Sequence, residues 1–406
     1  VRWLSLALRL MVRRPLATLM QLGVLALAWA TVAFVLLVGE QIEARVQRDL
    51  AGIDLVVGAK GSPMQLMLAG VFHLDSPSGN IPFASVERLR AQPLVAQVLP
   101  LSLGDSLAGW RIVGSTPEYL TLYGGRLQQG QMWQAPMQVV LGADVAKAQG
   151  LRVGDRFMAS HGLAQSGPAH GDSSYAVVGI LAPSGSVLDR LVLTDLRSVW
   201  ELHEEHGDHE DHGDETERAQ QTESAREVSL LLVRYRSPLG AAMLPRWVNA
   251  QTDLQAAAPA LESARLLRML GVGREVLQGL GALLLVSALL TVFVALLALV
   301  RERQGDLALL RMLGAGPWRL ALLVAAQAVA LVLAALLLGL AMAHGGLALL
   351  AHALNEARSL QLDALYVCAH ELWLLPLAAG MALLAAAGPA WVALRADVGL
   401  LLQAPR

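Results

Sequence analysis

The sequence predicts a membrane protein of four transmembrane α-helices, with a large α+β periplasmic domain of two small lobes inserted between helices 1 and 2. Three observations predict it. Four apolar runs, at residues 16–39, 276–300, 320–343 and 372–394, approach or exceed the ~20 residues that cross a bilayer as helix. Between the first two, residues 40–260 alternate short apolar segments with Gly/Pro turns, as a soluble domain does. The arginines Arg13, Arg14, Arg301, Arg303, Arg319 and Arg395 flank the runs on one side only, which fixes both termini inside by the positive-inside rule.

Composition agrees with this division. The chain has 406 residues, 55% hydrophobic and only 16% charged, where a soluble domain carries about 25% charged residues. The mean hydropathy is +0.50. A net charge of −2 says nothing about nucleic acid, and no nucleic-acid partner is expected. The single cysteine, Cys368, excludes an intrachain disulfide.

Taken in order, residues 1–15 interleave Arg2, Arg9, Arg13 and Arg14 with Trp3, Leu4, Leu6, Leu8, Leu10 and Met11, the pattern of an amphipathic helix lying on the inner membrane surface. Residues 16–39 form the first span. The same stretch fits a secretory signal peptide less well, because the run is long and no small-residue cleavage site follows. In the 40–260 domain, strands are expected at 53–57, 95–101, 110–113, 139–141, 156–159, 175–181, 191–193 and 228–235. Helices are expected at 84–91, 143–149, 195–202 and 239–250. Met64, Leu66, Met67 and Leu68 make an apolar stretch for core packing or for lipid. Residues 261–300 read as a stalk running into the second span, 301–319 as a cytoplasmic loop, and 320–343 as the third span. Residues 344–371 read as a short outside loop. The fourth span, 372–394, is expected to be broken at Pro376 and Pro389, and 395–406 is a cytoplasmic tail.

The 301–319 segment is the natural handle for a soluble partner. Leu307, Leu310 and Leu313 recur at helical spacing beside the polar Gln304, Asp306 and Arg311, and Gly314, Gly316 and Pro317 end that short helix. The chain contains no G-x-x-x-x-G-K-[ST] phosphate loop, no G-x-S-x-G elbow and no H-E-x-x-H pair. The apolar runs carry few ionisable groups, which argues against a proton relay or ion path.

These residues resemble a known family. Arg301-Glu302-Arg303, Asp306 and Leu309-Leu310-Arg311-Met312-Leu313-Gly314-Ala315 are similar to the coupling segment of FtsX/MacB-like ABC transporter permeases, where Glu is usual at Asp306 and Ile at Leu307. The ending at 389–403 is similar to that family's, with Val398 where a proline is usual. The turn Gly150-Leu151-Arg152-Val153-Gly154-Asp155 resembles one in its periplasmic domain. Lipoprotein-release permeases of the LolC/LolE type share the layout. The resemblance implies a bacterial inner-membrane permease without enzymatic activity of its own and without a tightly bound cofactor. It implies a separate cytoplasmic ABC ATPase as partner, docking on Glu302, Arg303, Asp306, Leu307, Leu310, Arg311, Leu313 and Gly314. It further implies a second permease copy as a homodimer, contact with membrane lipid, and a periplasmic adaptor or lipoprotein. Motion driven by ATP would pass to the periplasmic domain, to export or extract a substrate. The alternatives are an FtsX-like scaffold that activates a periplasmic partner without transport, and lipoprotein release.

One tract stands outside this reading. Residues 201–217, ELHEEHGDHEDHGDETE, place His203, His206, His209 and His212 at every third position among nine acids, Asp208 and Asp211 included. Imidazole and carboxylate suit Zn²⁺, and such a tract is a metal-binding composition. The competing reading is a solvated acidic loop; the fixed spacing favours Zn²⁺. His344, His352, Cys368 and His370 fall in the 344–371 segment, where they read as ordinary surface residues rather than a second metal site.

Overall fold

The structure, a computed structural model, describes residues 15–50, 52–161, 169–204, 226–302, 316–356 and 363–395. The chain begins with the helix α1 (Pro15–Leu50), then β1 (Leu55–Ala59), α2 (Pro63–Gly70), β2 (Ile81–Pro82), α3 (Ala84–Arg90), β3 (Val95–Leu107) and β4 (Trp110–Ser115). It continues through α4 (Glu118–Leu122), β5 (Leu127–Gly130), β6 (Gln138–Leu141), α5 (Ala143–Gln149), β7 (Arg156–His161), β8 (Ala169–Leu181) and β9 (Val192–Asp195). Then follow α6 (Leu196–Glu204), β10 (Glu227–Val228), β11 (Leu230–Tyr235), α7 (Leu239–Gln251) and β12 (Leu254–Ala257). The long helices α8 (Pro259–Glu302), α9 (Pro317–Glu356) and α10 (Leu374–Arg395) close the sequence of elements.

Two compact units divide these elements: a helical unit of Val1–Glu43 with Met269–Arg406, and a sheet unit of Ala44–Arg268. The division falls inside α1 and inside α8, so each of these helices contributes residues to both units.

In the helical unit, α1, α8, α9 and α10 each carry a stretch long and apolar enough to cross a membrane. They share one apolar cluster that includes Trp29, Leu37, Val292, Leu320, Leu347 and Ala382. Glycines allow the close approaches. A Cβ on Gly339 would lie 2.6 Å from the Trp29 Cβ, and one on Gly388 would lie 2.5 Å from the Phe293 ring. Small residues at such contacts let helix backbones meet where lipid gives no hydrophobic drive. Two expectations are corrected here. The fourth run is one helix despite its prolines: Pro376 falls in the first turn, where amides have no intrahelical acceptor, and Pro389 lies inside α10 between buried alanines and the helix end. And α9 continues beyond 343 to Glu356, because Leu347 and Ala351 still face the core; His344 and His352 therefore stand on a helix rather than on a loop.

The sheet unit is a mixed sheet in the order β12-β1-β11-β3-β4-β9-β6-β8-β5, with β7 paired to β3 and β8. The pairs β4–β9 and β6–β8 are parallel and the remainder antiparallel. β2 and β10 form a separate two-stranded ribbon. Two apolar clusters lie in this unit, one around Leu55, Val57, Leu89, Leu231 and Val248, the other around Trp110, Ile112, Val139, Tyr175 and Val192. α2 begins with Ser62 as N-cap and Pro63 in the first turn, and it buries Leu66 and Met67, so that apolar stretch is spent on packing. α5 ends at Gly150, whose φ of 67° is a left-handed helix stop. In the turn that follows, the Arg152 amide donates to Asp155 Oδ2 at 2.7 Å.

Candidate functional site

The segment expected to dock an ATPase is bounded in sequence by two anchored helix ends. Val300 near the end of α8 and Leu320 in the first turn of α9 are both buried in the helical unit's cluster. Beyond these anchors the chain faces outward: Arg301, Glu302, Pro317, Trp318 and Arg319 are exposed. Pro317 starts α9, where its missing amide costs nothing, and the Arg319 amide donates to the Gly316 carbonyl at 3.0 Å. Of the residues expected to dock an ATPase, Glu302 is described, as the exposed last residue of α8. Arg303, Asp306, Leu307, Leu310, Arg311, Leu313 and Gly314 lie outside the described residues.

The described segments that flank the histidine tract in sequence are clasped together. α6, which carries His203, holds to the sheet by buried Leu196, Ser198 and Val199. On the same helix the Trp200 indole donates to the Glu227 carbonyl at 2.7 Å. Phe83 meets the Trp200 ring edge-on at 5.2 Å, and the Arg226 guanidinium lies 5.0 Å from the same ring. The chain on both sides of the tract is thus held at one place. His206, Asp208, His209, Asp211 and His212 lie outside the described residues.

Where α1 enters the sheet unit, its last turns carry charge into the interior. Asp49 is buried, and its Oδ1 accepts from the Val187 amide at 3.0 Å. Asp189 accepts from the Ser184 and Gly185 amides at 2.7–3.0 Å, which folds the 184–189 turn onto its own carboxylate. Arg45, Asp49, Asp144, Asp189 and Arg190 interact electrostatically around this turn. Burial holds the Arg190 guanidinium below its ordinary value and pushes the Asp144 carboxyl up, with the Asp189 charge adding to the latter. A buried and half-buried set of both signs, with Asp49 and Asp189 hydrogen-bonded to backbone, favours one geometry, because each charge is compensated by its neighbours.

A further constellation lies in the helical unit, at residues more than 320 positions apart in sequence. Glu40 on α1 accepts from the Cys368 thiol, from His370 Nδ1 at 2.9 Å and from the Tyr366 hydroxyl at 3.2 Å. Cys368 Sγ and His370 Nδ1 are 3.7 Å apart. Next to Glu40, Gln41 exchanges two hydrogen bonds with the Asp363 backbone, at 2.8 and 3.0 Å. His344 on α9 donates from Nδ1 to the Ala364 carbonyl at 2.8 Å and turns Nε2 toward Glu371, 3.3 Å away. Three of the four residues assigned to ordinary surface therefore take part in specific contacts. Their spacing in sequence gives no sign of Glu40 as partner.

Two family patterns cover most of the chain. The MacB-like periplasmic core domain matches residues 18–245, and the FtsX-like permease C-terminal domain matches residues 279–398. Among solved structures, the periplasmic region of MacB from Actinobacillus actinomycetemcomitans is similar at 13% identity and a TM-score of 0.35, covering 54% of this chain and 97% of that one. The extracellular domain of the noncanonic ABC-type transporter YknZ from Gram-positive bacteria is similar at 13% identity and a TM-score of 0.30, covering 50% and 98%. No curated protein matches the chain.

Proposed function

We propose that this chain, which belongs to the MacB- and FtsX-like family of ABC transporter permeases, is the subunit that carries ATP-driven motion from a cytoplasmic ATPase across the inner membrane to its own periplasmic domain. The family partners with an ATPase, and the four apolar helices suit a multi-pass membrane subunit. The observation that carries the reading is the continuity of α1 and α8. Each runs without a break from an apolar, membrane-length stretch into the sheet unit. A helix transmits a push along its axis because its hydrogen bonds lie along that axis.

In this reading the ATPase grips the segment between Glu302 and Gly314, with Asp306 and Arg311 as the polar contacts and Leu307, Leu310 and Leu313 as the apolar ones. A second copy of the permease completes a homodimer. The two apolar clusters of the sheet unit are the cores of two lobes, which act on a substrate in the periplasm or outer leaflet. The His-rich tract serves zinc, as capture or sensing. Charge exchange at both polar contacts, Asp306→Arg with Arg311→Asp, tests the docking. With the ATPase co-reconstituted, the variant is expected to lose substrate-stimulated ATP hydrolysis while still inserting and folding. Retained stimulation would place the docking surface elsewhere.

A further inference from the structure

We infer that Glu40, Cys368 and His370 form a binding site for a divalent transition-metal ion of the Zn²⁺ class, separate from the His-rich tract. The three ligand atoms, a carboxylate oxygen, a thiol sulfur and an imidazole nitrogen, all lie within 4.8 Å of one another. This O/S/N set is the one Zn²⁺ and Co²⁺ take, with bonds of about 2.0–2.3 Å, which puts ligand atoms roughly 3.3–3.7 Å apart around a tetrahedral ion. The 3.7 Å between Cys368 Sγ and His370 Nδ1 already has that spacing, the 2.9 Å between His370 Nδ1 and Glu40 Oε2 needs to open by a few tenths of an ångström, and the Cys368 thiol, which now donates to Glu40 Oε2, must rotate away from that oxygen to let the ion in between.

The surroundings are those of a held site. The Tyr366 hydroxyl engages Glu40 Oε1 while Oε2 faces Cys368 and His370, and the Gln41–Asp363 pair ties the preceding chain to α1. The sulfur is fully buried while the imidazole side chain is 67% exposed. An ion here has three protein ligands and one open side toward solvent, the arrangement of an exchangeable site rather than a closed structural one. Binding breaks the Cys368 S–H bond, forms a sulfur–metal bond and releases the proton to solvent, with no change of oxidation state. The bound ion would join α1 to the segment that leads into α10, so its occupancy would stiffen that pair of helices.

Cys368 is the only cysteine in the chain, so a thiolate-to-cobalt charge-transfer band can arise from this site alone. Titration of the full-length protein with Co²⁺, in detergent or nanodiscs, is expected to raise that band, and Zn²⁺ is expected to bleach it. Substituting the tract (His203, His206, His209 and His212, each →Asn) leaves the band in place. Glu40→Gln and His370→Asn, which keep the thiol, weaken cobalt binding at least tenfold, and Tyr366→Phe weakens it by about tenfold. Absence of the band in the folded wild-type protein overturns the inference. So does a band whose affinity is unchanged in both Glu40→Gln and His370→Asn.

Discussion

At the scale of the residue, His73 shows how burial becomes a pH dependence. Its ring is inside the sheet unit, its Nε2 lies 2.8 Å from the Tyr119 hydroxyl, and its backbone takes a φ of 54°. Burial holds the imidazole well below its ordinary 6.5, and the Arg111 and Arg190 charges push it the same way. It is therefore neutral in the fold. Below pH 6.5 the unfolded chain binds a proton that the folded chain refuses, so the stability present above 6.5 is lost as pH falls toward the lowered folded value. That slope is at most about 1.4 kcal/mol per pH unit. Unfolding of the full chain, compared with a His73→Asn variant that tolerates the positive φ, is expected to show the steeper loss in the wild type below pH 6.5. Parallel curves would remove His73 as the cause. At this scale the sequence is least informative: nothing in it joins Glu40 to Cys368, because their meeting depends on how α1 and the segment before α10 are placed.

At the scale of the element, the helices are legible wherever the local signal is complete. α5 has an apolar face and a glycine stop at Gly150, and its bounds of 143–149 follow from the sequence alone. Strands β3 and β8 extend well past the apolar cores that announce them, since pairing with neighbours holds polar residues such as Ser102 and Ser106 in the sheet. β5 and β12 were not expected, and each has a reason. All four residues of β5 are exposed, and β12 is LQAA, which has no β-branched residue; both exist because a partner strand offers its edge. The 228–235 strand is divided at Ser229, whose hydroxyl accepts from the Leu103 amide at 2.9 Å.

The same scale governs two predictions. Gly339→Leu has no room against Trp29 and the Ala26 carbonyl, so α9 must shift or α1 must give way. A loss of about 1–3 kcal/mol is expected, seen as a lower melting temperature and reduced recovery of monodisperse protein; a melting curve like the wild type's would show that this contact is loose. For the His-rich tract, calorimetric Zn²⁺ titration of the full chain is expected to lose binding capacity when its four histidines become asparagine. Equal capacity in both proteins would reduce the tract to a solvated acidic loop.

At the scale of the whole molecule, the four apolar helices and the family were readable. Hydropathy marks four runs, with a charged segment between the second and the third. Family membership now supports the ATPase partnership that this arrangement implies. The sequence could not say how the last turns of α1 are held in the sheet unit. The structure places α1's Asp49 against the Val187 amide amid buried charge, so the end of that helix is part of the domain's interior. Asp49→Ala removes one carboxylate from beside Arg45 and Arg190 and the acceptor of the Val187 amide, and loosens this connection. The most direct test of motion transfer is hydrogen–deuterium exchange on the permease reconstituted with its ATPase in nanodiscs, with and without ATP and vanadate. Trapping is expected to change exchange in residues 44–50, 184–190 and 259–268, and Asp49→Ala is expected to abolish the change while ATP hydrolysis continues. Unchanged exchange in all three segments, with the ATPase turning over and trapped, would contradict the account.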